Sequence, residues 1–285
     1  MHYRKLGTTE SEVSEVGYGA CGIGSQDRAD DETVRALKRA FELGVNFVDT
    51  APADDDGHNE RLVAKVVNDA YHRIYVATKI PPKNPAWQGL PASEVFPYDY
   101  IVQSTEQSLS NLGIEQIYLQ QFQVWTDAWV NADEWRRAIE NLRSSGKVRF
   151  FGLCVSEDDP DSALEAVKTE VFTAVQAAYN IFNQAAEQNL FPLCHEMKVG
   201  VLASAPWQDA EHGLERTRRM EELTRDLADV PGTLPQISVR FCLSNKAVTS
   251  VIPRMADVET VESSCRAASG GMLDARTLAI LKRYA

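Results

Sequence analysis

The chain has 285 residues, of which 44% are hydrophobic and 25% charged, with a formal net charge of −12. These are ordinary values for a globular protein, and the acidic excess excludes a nucleic-acid binder, which needs a basic face for phosphates. No apolar run is long enough to cross a bilayer, and Met1-His2-Tyr3-Arg4-Lys5 leads into no signal-peptide core, so neither membrane nor nucleic acid is expected as a partner.

Hydrophobic runs alternate with helical patterns throughout. Residues 13–17 read as a first strand, followed by a helix near 32–43 in which Val34, Leu37, Ala40 and Phe41 recur at helical spacing. Residues 46–49 form a second strand, ending in Asp49-Thr50-Ala51-Pro52, before a helix over 58–68. Residues 74–80 are a strand and, after a Pro-rich loop, Tyr98–Leu112 a helix. Strands over 116–122 and 147–153 are followed by helices at Asp133–Ser144 and from about Asp161. Residues 173–176, 200–204 and 249–252 complete the set, each bordered by helical sequence. Eight strand–helix alternations with short connections imply parallel strands, right-handed crossovers and a closed (β/α)8 (TIM) barrel of α/β class. No Pro-, Gly- or Ser-rich boundary interrupts it, so residues 1–285 are expected to form one domain.

Five cysteines, Cys21, Cys154, Cys194, Cys242 and Cys265, are scattered and never occur as C-x-x-C. They read as small buried hydrophobes in a reducing cytoplasm. The acidic run Asp54-Asp55-Asp56 with His58 matches no metal-loop spacing, and no metal is expected.

Several segments share one resemblance. Tyr3-Arg4-Lys5-Leu6-Gly7, Asp49-Thr50-Ala51-Pro52, Gly57-His58-Asn59-Glu60-Arg61 and Ala77-Thr78-Lys79 resemble the aldo-keto reductase family. So do Ser108-Leu109-Ser110-Asn111-Leu112-Gly113, Gly146-Lys147-Val148-Arg149, Gln176-Ala177-Ala178-Tyr179-Asn180 and Ser250-Val251-Ile252-Pro253. The resemblance covers nearly the whole chain. It implies a barrel whose floor is closed by an N-terminal hairpin, here residues 3–16. It also implies an NADP nicotinamide lying across the mouth, with a Tyr acid, a Lys and an Asp that tune it, and a His that orients the carbonyl. Asp49 and Lys79 occupy the Asp and Lys positions, but the Tyr position falls on Asp54 and the His position on Gln123.

The cofactor positions diverge too. The family's Gly-x-Ser reads Gly152-Leu153-Cys154, and the residue that often stacks on nicotinamide is Ser204. A short charged segment, 207–219, replaces the long Gly-rich loop, and Arg254, Ala256, Thr260, Glu262 and Ser264 follow Ile252-Pro253. A carboxyl group beside an ammonium is driven towards its ionised form and donates no proton, and an amide does not titrate. The replacements therefore predict loss of NADP-dependent hydride transfer and no cofactor. In its place they predict redox-neutral proton transfer, a dehydration, elimination or isomerisation of a small cyclic or sugar-like metabolite. In that reading Asp54 is the base, Lys79 stabilises developing charge, Asp49 orients Lys79 and Gln123 holds the substrate. Trp87, Trp125 and Trp207 would wall the pocket, with Cys154 and Gln176 also lining it. Two alternatives stand beside it. One is an NADP-dependent reductase with an altered proton relay, using Gln176, Tyr179, Arg254 and Glu262 for the cofactor. The other is an inactive barrel acting as a partner subunit. The oligomeric state is left open.

Overall fold

The structure, a computed structural model, describes residues 1–20, 30–52, 56–207 and 214–285, the last group as backbone only over 214–217. A short hairpin opens the chain, with β1 (Tyr3–Lys5) paired antiparallel to β2 (Glu12–Ser14). Eight parallel strands follow: β3 (Tyr18–Gly19), β4 (Phe47–Asp49), β5 (Tyr75–Ile80), β6 (Ile117–Phe122), β7 (Val148–Cys154), β8 (Ala174–Ala178), β9 (Gly200–Ser204) and β10 (Val248–Ile252). They neighbour one another in chain order. Between β10 and β3 the ring is closed by isolated bridges, Val16 to Val251 and Gly19 to Arg254. Helices such as Asp30–Glu42, Tyr98–Leu112 and Val258–Ser269 surround the strands. This is the expected (β/α)8 barrel.

Residues 13–17 are not the first barrel strand. Val13 belongs to the hairpin, Val16 makes only an isolated bridge to Val251, and the first barrel strand is the short Tyr18–Gly19. Close approach is the reason. A Cβ at Gly17 would lie 2.7 Å from Ile252 Cδ1, and one at Gly19 would lie 2.6 Å from the Pro253 carbonyl oxygen. The closing seam therefore takes glycine, which weakens the periodic signal of a strand.

The hairpin plugs the floor. Gly7, at φ +54°, abuts the starts of β8 and β9, where a Cβ would meet Thr173 O at 2.5 Å and Gly200 N at 2.9 Å. Leu6 and Val13 join Phe47, Ala77, Leu119 and Leu202 in the barrel interior. Arg4 fastens the hairpin by donating to the Val248 carbonyl at 2.7 Å, the Leu243 carbonyl at 3.0 Å and Glu15 at 2.7 Å.

Outside the sheet, Trp125 forms the hub of an aromatic wedge. Its ring meets Phe122, Trp129, Trp135 and Phe172 at centroid distances between 5.3 and 6.0 Å, mostly edge to face. At 1% exposure it cannot wall a pocket. The side chain expected to line the mouth is a core residue, turned towards the helices by the loop that follows β6. Among the described residues, no helix is long and apolar enough to cross a membrane. Trp125→Ala is expected to cost about 3–5 kcal/mol of stability, the usual range for truncating a buried aromatic, measured as a lowered urea midpoint with the slope unchanged.

Candidate active site

Alternation along the strands places Asp49 (β4), Lys79 (β5) and Gln121 (β6) on the inner face near the C-terminal ends, the end where barrels of this kind carry their chemistry. Lys79 is directly opposite Gln121 in register, and Cys154 (β7) is opposite Gln176 (β8). Lys79 Nζ donates to both Asp49 oxygens at 2.7 Å and to the Thr50 carbonyl at 3.1 Å. The two side chains are only 8% and 2% exposed. Charges so far out of water persist only where hydrogen bonds complete their coordination.

Two carboxamides supply that completion for Asp49. Gln121 Nε2 donates to Oδ1 at 3.1 Å and Gln176 Nε2 to Oδ2 at 2.9 Å. Since a carboxylate only accepts, both amides must present nitrogen to Asp49, and their orientations follow. Gln121 Nε2 also reaches Gln176 Oε1 at 3.1 Å, and Cys154 Sγ donates to that oxygen at 3.4 Å. Asp49, Lys79, Gln121, Gln176 and Cys154 thus form one buried cluster. Gln121 has no role in the sequence reading. Its only signal there is a polar residue at an inward position of a strand that also carries Gln120.

Gln123 continues the ladder one step past β6, its N–H donating to the Ile80 carbonyl at 3.0 Å. Its Oε1 is buried and, like Gln121 Oε1, has no hydrogen-bond partner among the described residues.

Other expected site residues lie elsewhere. Asp54 is outside the described residues. Trp87 is half-buried and packs edge-on against Trp129, 5.6 Å between centroids. Half-buried Trp207 follows β9, and Trp125, buried in the aromatic wedge, does not join it at the mouth. Tyr179 is buried behind β8, stacked on Phe241 at 5.3 Å and bonded through its hydroxyl to Glu187. Burial and that carboxylate hold the phenol protonated far above its usual range. Glu262 lies on the outer helix Val258–Ser269 and pairs with Arg39 at 2.9 Å. Neither Tyr179 nor Glu262 faces the mouth. Arg254 does stand just beyond β10, exposed at the strand tip.

Residues 15–284 match the Aldo/keto reductase family. The chain belongs to this family. It is 28% identical to the uncharacterized oxidoreductase YqkF of Bacillus subtilis (strain 168), over 100% of this chain and 96% of that protein. It resembles the holo form of an aldo-keto reductase from Bacillus halodurans with a TM-score of 0.85 and 25% identity, covering 100% of this chain and 96% of the other. An aldo/keto reductase from Klebsiella pneumoniae in complex with NADP and acetate shares the fold, with a TM-score of 0.78 and 20% identity over 98% and 94% of the two chains.

This kinship overturns the expectation of a cofactor-free lyase, dehydratase or isomerase. A relative matched from end to end is named an oxidoreductase, and the structural neighbour at 25% identity is a holo form of an aldo-keto reductase. Taken together, the replaced positions imply a coordinated loss of proton donor and dinucleotide contacts, and it is this implication that the kinship overturns. The acid–ammonium pair they surround is intact, and it is held by amides that the substitutions leave alone. Gln121→Glu places a second carboxylate against Asp49 and is expected to destabilise the protein more than Gln121→Met, which leaves only unmet acceptors at about 1–3 kcal/mol. Comparing the two urea midpoints at neutral pH checks the order.

Proposed function

We propose that the protein is an NADP-dependent oxidoreductase of aldo-keto reductase type, acting on a small carbonyl compound, with a proton relay that runs without the family's phenol. The observation that carries this reading is the Asp49–Lys79 pair, buried at the barrel mouth and clamped by Gln121 and Gln176. The chain is taken to work as one catalytic domain.

The residues present fit the cofactor. The buried Gln121 Oε1 is an acceptor in want of a donor, as a carboxamide N–H would be. Gln176 borders the same cluster, and Arg254 offers a cation to phosphate at the β10 tip. After β9, Ala205 sits at φ +47°, a conformation costly for a residue with a Cβ. It is held there by Asn180 Nδ2 donating to its carbonyl at 3.0 Å, while Ser238 donates to the carbonyl of Pro206. Strained backbone at a strand tip, fixed from two sides, suits close approach of a ligand. Of the sequence-derived cofactor set, Arg254 would meet NADP at the strand tip and Gln176, whose amide is engaged by Asp49, Gln121 and Cys154, would only line the site, whereas Tyr179 and Glu262 are engaged elsewhere.

When bound, NADP supplies the hydride. The chain's own part is to bind, orient and handle the proton. Lys79, held by Asp49 and the Thr50 carbonyl, sets a fixed positive charge where negative charge develops on the substrate oxygen, in a site poor in water. In this reading its ammonium supplies the proton, one of the three hydrogens now given to Asp49 and the Thr50 carbonyl turning to the substrate oxygen, and Gln123 takes the orienting role of the family's His through its Nε2 donor. An amide keeps that role at every pH.

NADPH is expected to gain fluorescence on mixing and to be oxidised when a carbonyl is added. Lys79→Met should lower the oxidation rate roughly 10²–10⁴-fold, the range for removing a general acid, while NADPH binding and the circular dichroism spectrum stay close to wild type. Absence of nicotinamide binding, or an undiminished rate in Lys79→Met, would sink the reading.

A further inference from the structure

We propose that a groove on the outside of the barrel, beside helix Asp133–Ser144, docks an amphipathic helix of a partner protein that carries two carboxylates seven residues apart. The groove, about 450 Å³, is lined by that helix and by Val171, just ahead of β8. None of the mouth residues lines it, so the inference stands apart from the reductase reading. Two arginines rim it. Arg136 lies on the ring of Trp135, 4.4 Å from Cζ to centroid, and donates to the Val130 carbonyl at 2.8 Å. Arg143 lies over the ring of Phe151 at 5.6 Å and donates to the Val171 carbonyl at 3.2 Å. Rings and carbonyls fix both guanidiniums without neutralising them, and that one carbonyl is the polar partner of each among the described residues. A guanidinium held in place with donors to spare suits a carboxylate, which it meets through two parallel bonds. In a chain of net charge −12 the pair makes a local positive edge, and complementarity calls for an acidic occupant.

Spacing narrows the occupant. Arg136 and Arg143 stand two turns apart on one helix, about 10 Å along its axis. A partner helix repeats with the same period, so acids at its positions i and i+7 meet both arginines while i+3 and i+4 face the floor between them. An extended segment does not fit, because its same-face side chains recur in steps of about 7 Å. The floor is apolar: Trp135 and Ile139 are buried and Val171 half-buried. Glu140 stands exposed between the arginines and also lines the groove. It repels a carboxylate in the middle of the occupant, so the acids are confined to the two ends and a uniformly acidic helix is disfavoured. A second copy of this chain, itself strongly acidic, is repelled as a whole.

The probe is a fluorescein-labelled, alanine-rich peptide of about 16 residues, long enough to hold a helix, with Glu at i and i+7 and Leu at i+3 and i+4. Its binding to the intact chain is followed by fluorescence anisotropy. Affinity is expected to fall when Gln replaces both Glu residues of the peptide, when Glu fills all four positions, and as salt is raised. Arg136→Gln combined with Arg143→Gln should weaken binding roughly tenfold, the order for losing two exposed charge-assisted contacts, with the urea midpoint close to wild type. Arg136→Glu combined with Arg143→Glu should lose this peptide and take up the version with Lys in place of Glu, a reversal that a merely structural role for the arginines does not produce. No binding of the Glu peptide, equal affinity for its Gln version, tighter binding of the four-Glu version, or no loss in either double variant overturns the proposal. So does sedimentation showing a dimer that both double variants dissolve, because the groove then belongs to a second copy.

Discussion

A lysine and an aspartate share the inside of a barrel almost without water, and the rest of the site is arranged around that fact. Lys79 places its ammonium hydrogens on two carboxylate oxygens and one backbone carbonyl. Asp49 in turn receives an amide N–H on each oxygen. Desolvation of two ions is expensive, and attraction between them offsets it only when the remaining lone pairs are also met. Gln121 and Gln176 do this as neutral donors. They hold the carboxylate without competing for its charge, so the ammonium remains the one cation of the cluster.

That neutrality shapes what the site can do. Amides do not titrate, so the two groups that clamp Asp49, Gln121 on β6 and Gln176 on β8, are indifferent to pH. Among the described residues of the cluster, proton handling is then left to Lys79 and Asp49. Substitution at the family's Tyr and His positions exchanges a phenol for the carboxyl group of Asp54 and an imidazole for the amide of Gln123 but leaves the electrostatic core in place. This is the physical sense in which a member of the Aldo/keto reductase family can lose half of its familiar motif and keep the frame for the same chemistry.

The frame is fixed from below and from outside. Below, Gly7 and Arg4 lock the hairpin to the starts of β8 and β9 and to the carbonyls around β10. Outside, the wedge around Trp125 fixes the segment beyond β6 on which Gln123 sits. Strand tips held this firmly allow the mouth to be built from single side chains. Ala205 shows the same economy of support, keeping a left-handed backbone because Asn180 and the partner of Pro206 hold its loop.

The sequence by itself determined the barrel and the inward positions of Asp49 and Lys79. Both follow from local periodicity, which alternates side chains across a strand whatever the rest of the chain does. Periodicity also misplaced the first barrel strand, because the closing seam at Gly17 and Gly19 needs glycines, and these carry no alternation. Only the tertiary structure decided which polar groups meet. The bonds of Gln121 and Gln176 to Asp49 join residues 72 and 127 positions apart, and no spacing rule reaches that far. Trp125, Tyr179 and Glu262 were legible as residue types and as neighbours of strand tips, but not as partners of Trp135, Glu187 and Arg39. Which way a side chain turns after its strand ends is set by the elements packed against it, and that information exists only once the chain has folded.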